Sequence, residues 1–89
     1  MYYVYILECN DKTLYTGYTI SLQSRLEKHN LGLASKYTRG RIPVKYVYTE
    51  TFTDKSTALK REIEIKSLTR KKKIELIQEK SHESIIWKS

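Results

Sequence analysis

The chain has 89 residues, of which 39% are apolar, and this predicts a single domain over residues 1–89 rather than global disorder. Its 17 Lys and Arg residues outnumber 10 Asp and Glu residues, and the net charge of +7 favours a phosphate-rich polymer as partner. The only cysteine is Cys9, which excludes an intrachain disulfide and a cysteine-based zinc cluster.

Two strands are predicted at the start of the chain. Tyr2 to Leu7 is rich in β-branched and aromatic residues, and Leu14 to Thr19 resumes this character after a polar, turn-rich stretch. These segments predict a hairpin. Because side chains alternate along a strand, Tyr5 lies on one face of the first strand, and Tyr15 and Gly17 share a face of the second.

A helix, a loop and a third strand are predicted next. Ser21 can cap a helix that runs to about residue 31, and Gly32 suits the position just after its last turn. The segment Leu33 to Arg41 is predicted as a loop. Val44 to Phe52 has the composition of a third strand.

Two further helices are predicted after this strand. Asp54 or Ser56 can cap the first of them, which extends to about Leu68. Thr69 can cap the other, which runs from about Arg70 to Lys80.

The order of these elements is β-β-α-β-α-α, which predicts an α+β fold with a three-stranded antiparallel sheet flanked by about three helices. The core of the domain is expected within residues 2–80, and residues 81–89 form a tail. Its apolar residues Ile85, Ile86 and Trp87 are expected either to dock on the core or to form a short strand.

The helix predicted between residues 54 and 68 carries a carboxylate on its apolar side. At about 100° per residue, its apolar arc is formed by Ala58, Leu59, Ile63 and Ile65. Glu62 and Lys66 fall inside this arc, whereas Glu64 points to the opposite side. A buried carboxylate needs partners, so Glu62 either forms an ion pair with Lys66 or a nearby Arg, or acts as a metal ligand or acid–base group. For an isolated inward Glu, the ion pair is the favoured interpretation.

The first helix shows a related pattern. Leu22 and Leu26 define its inward stripe, and Arg25 and His29 lie together at the edge of that stripe. Each alone is compatible with an ordinary surface contact. Together they place a cation and a proton-transfer group beside a buried face.

These residues match a known pattern. Tyr3-Val4-Tyr5 and, ten residues after Tyr5, Tyr15-Thr16-Gly17 resemble the signature of the GIY-YIG nuclease superfamily, with Arg25 in the next helix and Glu62 in a later one. The other matching stretches are Lys36 to Gly40, Ala58 to Glu62, Ile65 to Lys66 and Arg70 to Lys73. Over about residues 2–77 the chain is similar to the small stand-alone bacterial members called UPF0213 proteins.

The resemblance implies a metal-dependent endonuclease acting on DNA. It implies that Glu62 binds one divalent cation, Mg²⁺ or Mn²⁺, and that Tyr15 lies near the scissile phosphate and helps to activate water. Tyr5 would assist or orient Tyr15, Arg25 would neutralise phosphate charge, and His29 would shuttle a proton. With this set of partners, the metal-ligand interpretation of Glu62 becomes the favoured one.

Basic residues outside this set are expected to hold the nucleic-acid backbone without reading bases. They are Lys36, Arg39, Arg41, Arg70, Lys71, Lys72 and Lys73. For the run from Arg70 to Lys73, a solvated helix face is the equally weighted alternative. DNA is favoured over RNA as the partner, and a second protein could supply targeting.

Two other functions stay open from the sequence. One is a nucleic-acid-binding module that keeps the fold without the chemistry, and the other is a protein-interaction domain with an incidental basic surface. We find no signal peptide, membrane span or lipid-attachment motif, and the single cysteine fits a reducing cytoplasm.

Overall fold

A computed structural model describes residues 1–88, with side chains over residues 1–80. The elements are β1 (Tyr2–Glu8), β2 (Leu14–Thr19), α1 (Leu22–Asn30), α2 (Lys36–Arg39), β3 (Lys45–Phe52), α3 (Lys55–Lys66) and α4 (Arg70–Lys88). The three strands form one sheet in the order β2-β1-β3, and both pairs are antiparallel. The predicted α+β fold and its antiparallel sheet are therefore confirmed.

The predicted helix starts are confirmed by their caps. The side chain of Ser21 accepts a hydrogen bond from the Ser24 N–H, and Asp54 accepts one from the Thr57 N–H. Thr69 accepts one from the N–H of Lys72 at 3.2 Å. These bonds satisfy amide groups that the first turn of a helix leaves without partners.

The structure differs from the prediction in one additional helix and in several element ends, including β1 at Glu8 and α3 at Lys66. The predicted loop contains α2, which begins after Ser35 because that hydroxyl accepts the Tyr37 N–H at 3.1 Å. The third strand begins at Lys45 rather than at Val44, which is buried just before it. The helix α4 continues to Lys88, so its backbone excludes the strand considered for the tail. Docking of Ile85, Ile86 and Trp87 lies outside the described side chains.

The two faces of β1 support two separate clusters. Val4 and Ile6 belong to a cluster whose other buried members are Tyr48, Ala58 and Ile65. Tyr5 and Leu7 belong to the second, whose other buried members are Cys9 and Val44. The helix α3 packs on the first cluster, and Leu22 and Leu26 of α1 pack on the second. Within the described residues, no helix is long and apolar enough to cross a membrane.

The buried side of α3 is narrower than the predicted arc. Ala58 and Ile65 are fully buried, whereas Ile63 is 67% exposed, so its predicted inward position is wrong. Ala58, Glu62 and Ile65 share one stripe with helical spacing, and Leu59 of the predicted arc is half-buried beside it. Lys66 is also outside it, with its side chain 52% exposed.

Candidate active site

A glycine makes room for a buried tyrosine. Tyr5 of β1 is the direct cross-strand partner of Gly17 on β2, the edge strand. A Cβ atom added to Gly17 would overlap with the hydroxyl and ring of Tyr5. The phenol ring of Tyr5 therefore lies over a position without a side chain, and only 1% of the residue is exposed. This close approach requires glycine at residue 17.

A buried histidine receives the Tyr5 hydroxyl. The Tyr5 hydroxyl oxygen lies 3.0 Å from Nε2 of His29, and the other ring nitrogen, Nδ1, lies 2.8 Å from Oγ1 of Thr38. His29 comes from α1 and Thr38 from α2, and both are fully buried. The Thr38 hydroxyl in turn lies 3.4 Å from the carbonyl oxygen of Ser35. Four residues from three elements thus form one continuous hydrogen-bonded chain.

Burial keeps the first two members of this chain uncharged. Burial, reinforced by Tyr15 and also by Glu62, raises the pKa of Tyr5 well above 10.0, although Arg25 opposes part of the shift. The pKa of His29 is lowered from 6.5, first by burial and then by the positive charge of Arg25. Both groups are therefore neutral at neutral pH. The charges of Arg25, on α1, and of Glu62, on α3, thus both act on Tyr5.

Tyr15 extends this cluster towards the surface. Its ring lies 5.5 Å from the ring of His29 in an edge-on arrangement and stacks on Tyr37 at 5.7 Å. The guanidinium carbon of Arg41 lies 4.3 Å from the centre of the Tyr37 ring. Tyr15 is half-buried, so it is less enclosed than Tyr5. The geometry leaves Tyr15 as the signature tyrosine that is open to a ligand.

A third strand contributes Tyr46 to the same cluster. Its ring lies 5.2 Å from that of Tyr5, and its hydroxyl donates a hydrogen bond of 2.7 Å to the carbonyl of Leu22. Burial raises the pKa of Tyr46 to about 12, and Arg25 opposes this shift. Sequence reasoning missed Tyr46, since nothing but the richness in tyrosine signalled it. It also missed Tyr37 and Thr38 as site residues, although both lie in a matching stretch.

Glu62 is held by α3 in a half-buried position. Its side chain is 17% exposed, and one carboxylate oxygen lies 3.6 Å from Nζ of Lys66. The predicted partner Lys66 is thus present, but its side chain is 52% exposed, and a pair with helical spacing and an exposed lysine contributes only about 0.5 kcal/mol. The neighbouring Arg61 instead binds Glu50, with its NH2 group 2.9 Å from a carboxylate oxygen. The weak pair with Lys66 leaves the Glu62 carboxylate available to another cation.

The donor set around Glu62 fits only certain metals. Among the described residues, no three His, Cys, Asp or Glu side chains come together as a possible cage. A single carboxylate is the donor set that suits Mg²⁺, since this ion keeps several waters and takes substrate phosphate oxygens as ligands. Mn²⁺ accepts the same oxygen ligands. The residues therefore fit the predicted cation and do not fit a closed zinc site.

The basic residues predicted to contact phosphate on and after α2 differ in whether they already have partners in the protein. Lys36 and Arg39 are exposed on α2. Arg41 instead joins the β1–β2 turn, because its NH1 group lies 2.9 Å from the Asp11 carboxylate and 3.3 Å from the Thr13 hydroxyl. Arg41 also covers Tyr37, so its position is fixed by the fold.

The basic residues predicted to contact phosphate at the start of α4 also differ in their partners and their exposure. Arg70 donates a 3.0 Å hydrogen bond to the Lys12 carbonyl, and Lys72 pairs with Glu75 at 3.6 Å. Lys71 is exposed. Lys73 is half-buried, and its pKa is lowered first by burial and then by Lys66.

A groove beside the Tyr15–Tyr37 stack collects part of this charge. It is lined by Thr13, Leu14, Tyr37, Arg70 and Lys73. Lys66, which contacts Glu62, lies near enough to lower the pKa of Lys73. The structure thus brings Arg70 and Lys73 next to Tyr37, and it brings Lys73 near the Lys66 that pairs with Glu62.

Comparison with known proteins shows which family the chain belongs to. The family model described as the GIY-YIG catalytic domain matches residues 1–75. The UPF0213 protein of Haloquadratum walsbyi is 55% identical over 78 residues, covering 88% of each chain. A UPF0213 protein of Clostridium perfringens is 56% identical over 81 residues, covering 91% of this chain and 87% of its own.

A solved structure extends the likeness to the fold. The solution NMR structure of a UPF0213 protein from Bacillus halodurans has 48% sequence identity and a TM-score of 0.58, covering 88% of this chain and 84% of that one. The matching relatives come from both bacteria and archaea. The chain belongs to the GIY-YIG nuclease family and, within it, to the UPF0213 proteins.

Proposed function

We propose that this protein is a metal-dependent endonuclease that hydrolyses phosphodiester bonds in DNA. The observation that carries the proposal is the contact of Tyr5 and Tyr15 with His29, together with the charges of Arg25 and Glu62, which both act on Tyr5. Phosphodiester hydrolysis needs an activated water, neutralisation of phosphate charge and stabilisation of the leaving oxygen. This group contains residue types suited to each task.

The two signature tyrosines take different tasks because their burial differs. Tyr15 is half-buried, and we assign it to the attacking water beside the scissile phosphate. Tyr5 is enclosed, and its hydroxyl already faces Nε2 of His29 at 3.0 Å. We therefore assign Tyr5 to assist Tyr15 from inside the protein, where the neutral imidazole of His29 can receive the hydroxyl proton of Tyr5.

The charged residues neutralise the phosphate. Arg25 lies close enough to Tyr5, His29 and Tyr46 to shift the pKa of each, and its guanidinium would face a bound phosphate from α1. Glu62 would hold one Mg²⁺ or Mn²⁺, which supplies positive charge for the phosphate and an acidified water. Arg25 and Glu62 come from different helices, since Glu62 lies on α3.

The surrounding basic residues would hold the backbone of the nucleic acid. Arg70 and Lys73 line the groove beside Tyr37, and Lys36 and Arg39 are exposed on α2. Contacts of this type position a strand without reading its sequence. We therefore propose a DNA substrate recognised by shape, with targeting by a second protein. The proposed compartment is the cytoplasm, since Cys9 is a free, buried thiol.

The test uses the purified protein with flapped, branched, single-stranded and duplex DNA, in Mg²⁺ or Mn²⁺. We expect at least one substrate to be cut, and we expect a chelator to stop the cutting. Glu62→Gln and Tyr15→Phe should each lower the rate by at least about 10²-fold while the circular dichroism spectrum is unchanged. Glu64→Gln is the matched control, because Glu64 is 66% exposed on the other side of α3.

A second candidate is a nucleic-acid-binding module without cleavage. It is favoured by the closed hydrogen-bonded chain, in which Tyr5 and His29 are both neutral. This candidate predicts salt-dependent binding of DNA or RNA that Glu62→Gln leaves intact. Binding without cleavage of any substrate in the panel would reject the endonuclease and support this module.

A further inference from the structure

We propose that Thr38 is a positioning residue that fixes the tautomer of His29, so that Nε2 of His29 is the acceptor for the Tyr5 hydroxyl. This inference rests on the proposed function for its consequence in catalysis. Its structural content concerns the direction of three hydrogen bonds and can be measured without a substrate.

The three groups are enclosed together, so each polar atom must find its partner inside the protein. Thr38 and His29 are fully buried, and Tyr5 is 1% exposed. The two contacts of the His29 ring are 3.0 Å to Tyr5 and 2.8 Å to Thr38. A neutral imidazole has one N–H donor and one bare nitrogen. The partners of the ring therefore decide which nitrogen carries the hydrogen.

The surroundings of Thr38 set the direction of the chain. Its hydroxyl lies 3.4 Å from the Ser35 carbonyl, a group that can only accept, so the Thr38 hydrogen has an acceptor there when its oxygen faces an N–H of His29. The Thr38 oxygen then accepts the Nδ1–H of His29. Nε2 is left bare, and it accepts the hydrogen of the Tyr5 hydroxyl.

The reversed direction would leave the buried Tyr5 hydroxyl hydrogen without its His29 acceptor. In it, Thr38 would donate to Nδ1, and the Nε2–H of His29 would donate to Tyr5. The Tyr5 hydroxyl hydrogen would then need another acceptor in a space packed against Gly17 and the ring of Tyr46. An unmade buried hydrogen bond is costly, so the direction that ends on the Ser35 carbonyl is preferred.

Thr38 comes from a short helix, α2, that also contacts the outer tyrosine of the site. Thr38 and Tyr37 are neighbours on α2, and Tyr37 stacks on Tyr15. The exposed basic residues Lys36 and Arg39 belong to the same short helix. One four-residue helix therefore holds the outer tyrosine by stacking and the inner pair by a hydrogen bond. A phosphate backbone bound to α2 would act on the element that orients His29.

The decisive experiment is nitrogen NMR of the His29 imidazole in the full chain at neutral pH. Wild type should show a protonated Nδ1 and a bare Nε2. Thr38→Val keeps the shape and removes the acceptor, so it should shift the ring towards the Nε2–H tautomer. Thr38→Ser keeps an acceptor and should restore the wild-type signature.

Thr16 provides the matched control. It is also buried, at 3% exposure, and its hydroxyl has no hydrogen-bond partner within the described part of the chain. Thr16→Val thus makes the same chemical change on the opposite face of the sheet. It should leave the His29 tautomer and the cleavage rate as they are.

Cleavage of whichever DNA the wild type cuts gives the second readout. Thr38→Val should lower kcat by about 10²-fold with KM within about 2-fold, since it misplaces a proton acceptor rather than a binding group. Thr38→Ser should recover most of kcat.

An Nε2–H or doubly protonated His29 in wild type would overturn the inference. An unchanged tautomer in folded Thr38→Val would do the same. If Thr38→Val does not fold, the tautomer of the wild type decides. Absence of cleavage by wild type would reject the proposed function alone, because the tautomer is measured without DNA.

Discussion

The two faces of β1 differ in what their buried residues need. Val4 and Ile6 meet other side chains by packing alone, and any well-fitting apolar group satisfies them. On the other face, Tyr5 brings a hydroxyl into an enclosed space, where it needs a hydrogen-bond acceptor. That acceptor is His29, which in turn depends on Thr38.

The difference shows how a short chain can use one face of a strand for packing and the other for a polar site. Strand alternation sends neighbouring residues to opposite sides, so one strand serves both purposes. The face with Ile6 supplies most of its stabilisation as buried apolar surface. The face with Tyr5 accepts polar groups because α1 and α2 provide their partners. Changes on the two faces should therefore have different effects on unfolding and on cleavage.

The largest effect on unfolding is expected on the apolar face. Ile6→Ala removes most of a fully buried side chain and should lower the free energy of unfolding by about 3 kcal/mol. Ile63→Ala is the control, because Ile63 is 67% exposed and its loss should change stability by less than about 0.5 kcal/mol. Urea unfolding measures both. Equal losses in the two variants would contradict the assignment of the faces.

Filling the space at Gly17 should come next. Gly17→Ala places a methyl group against the buried Tyr5 ring, and we expect a loss of about 2 kcal/mol with a displaced Tyr5 hydroxyl. Gly40→Ala meets no atom within 4 Å and should be nearly neutral. Chemical unfolding and the Tyr5–His29 contact in NMR spectra measure the two results. A Gly17→Ala protein as stable as wild type would show that Tyr5 does not need this space.

Removing one hydroxyl should have a smaller effect on stability. Tyr5→Phe keeps the ring but leaves Nε2 of buried His29 without its 3.0 Å partner, which should cost about 1 kcal/mol. Tyr18→Phe, on the face that Val4 shares, leaves His29 untouched. Only Tyr5→Phe should also impair cleavage. A comparable loss of cleavage in Tyr18→Phe would contradict the separation of the two faces.

The smallest effect is a dependence of stability on pH from His29. Its folded pKa lies below 6.5, so between that pKa and 6.5 the unfolded chain binds a proton that the folded chain does not. Stability should therefore fall as pH is lowered below 6.5, with a slope of at most about 1.4 kcal/mol per pH unit. Unfolding curves from pH 7.5 to pH 5, above the range of the carboxylates, isolate this effect. His29→Gln should flatten the curve, and an unchanged slope in that variant would assign it elsewhere.

Local patterns were sufficient to predict the sheet and the starts of the three longer helices, but not the start of α2. Ser21, Asp54 and Thr69 each cap a helix through a bond to a residue a few positions away, which sequence spacing specifies. The wheel position of Glu62 was also useful, since its side chain is 17% exposed. The same wheel misplaced Ile63, because the angle of a residue does not say how wide a stripe the sheet will cover.

The partners across elements could not be predicted from patterns. Thr38 reaches His29 because Gly32, with a φ of 76°, ends α1 and lets the chain return along it. Nothing in the spacing of these two residues signals a contact. Tyr46 likewise meets Tyr5 only through the pairing of β3 with β1, whose register shifts between Ile6 and Leu7.

The hydrogen-bonded chain behind Tyr5 ends on the carbonyl of Ser35, and this neutral end supplies no negative charge to a protonated His29. An imidazolium is usually stabilised by a carboxylate on its far side. Here the far side of the ring meets the Thr38 hydroxyl, and Arg25 adds a repelling positive charge. A proton passed to His29 would be favoured only while negative charge lies next to the ring.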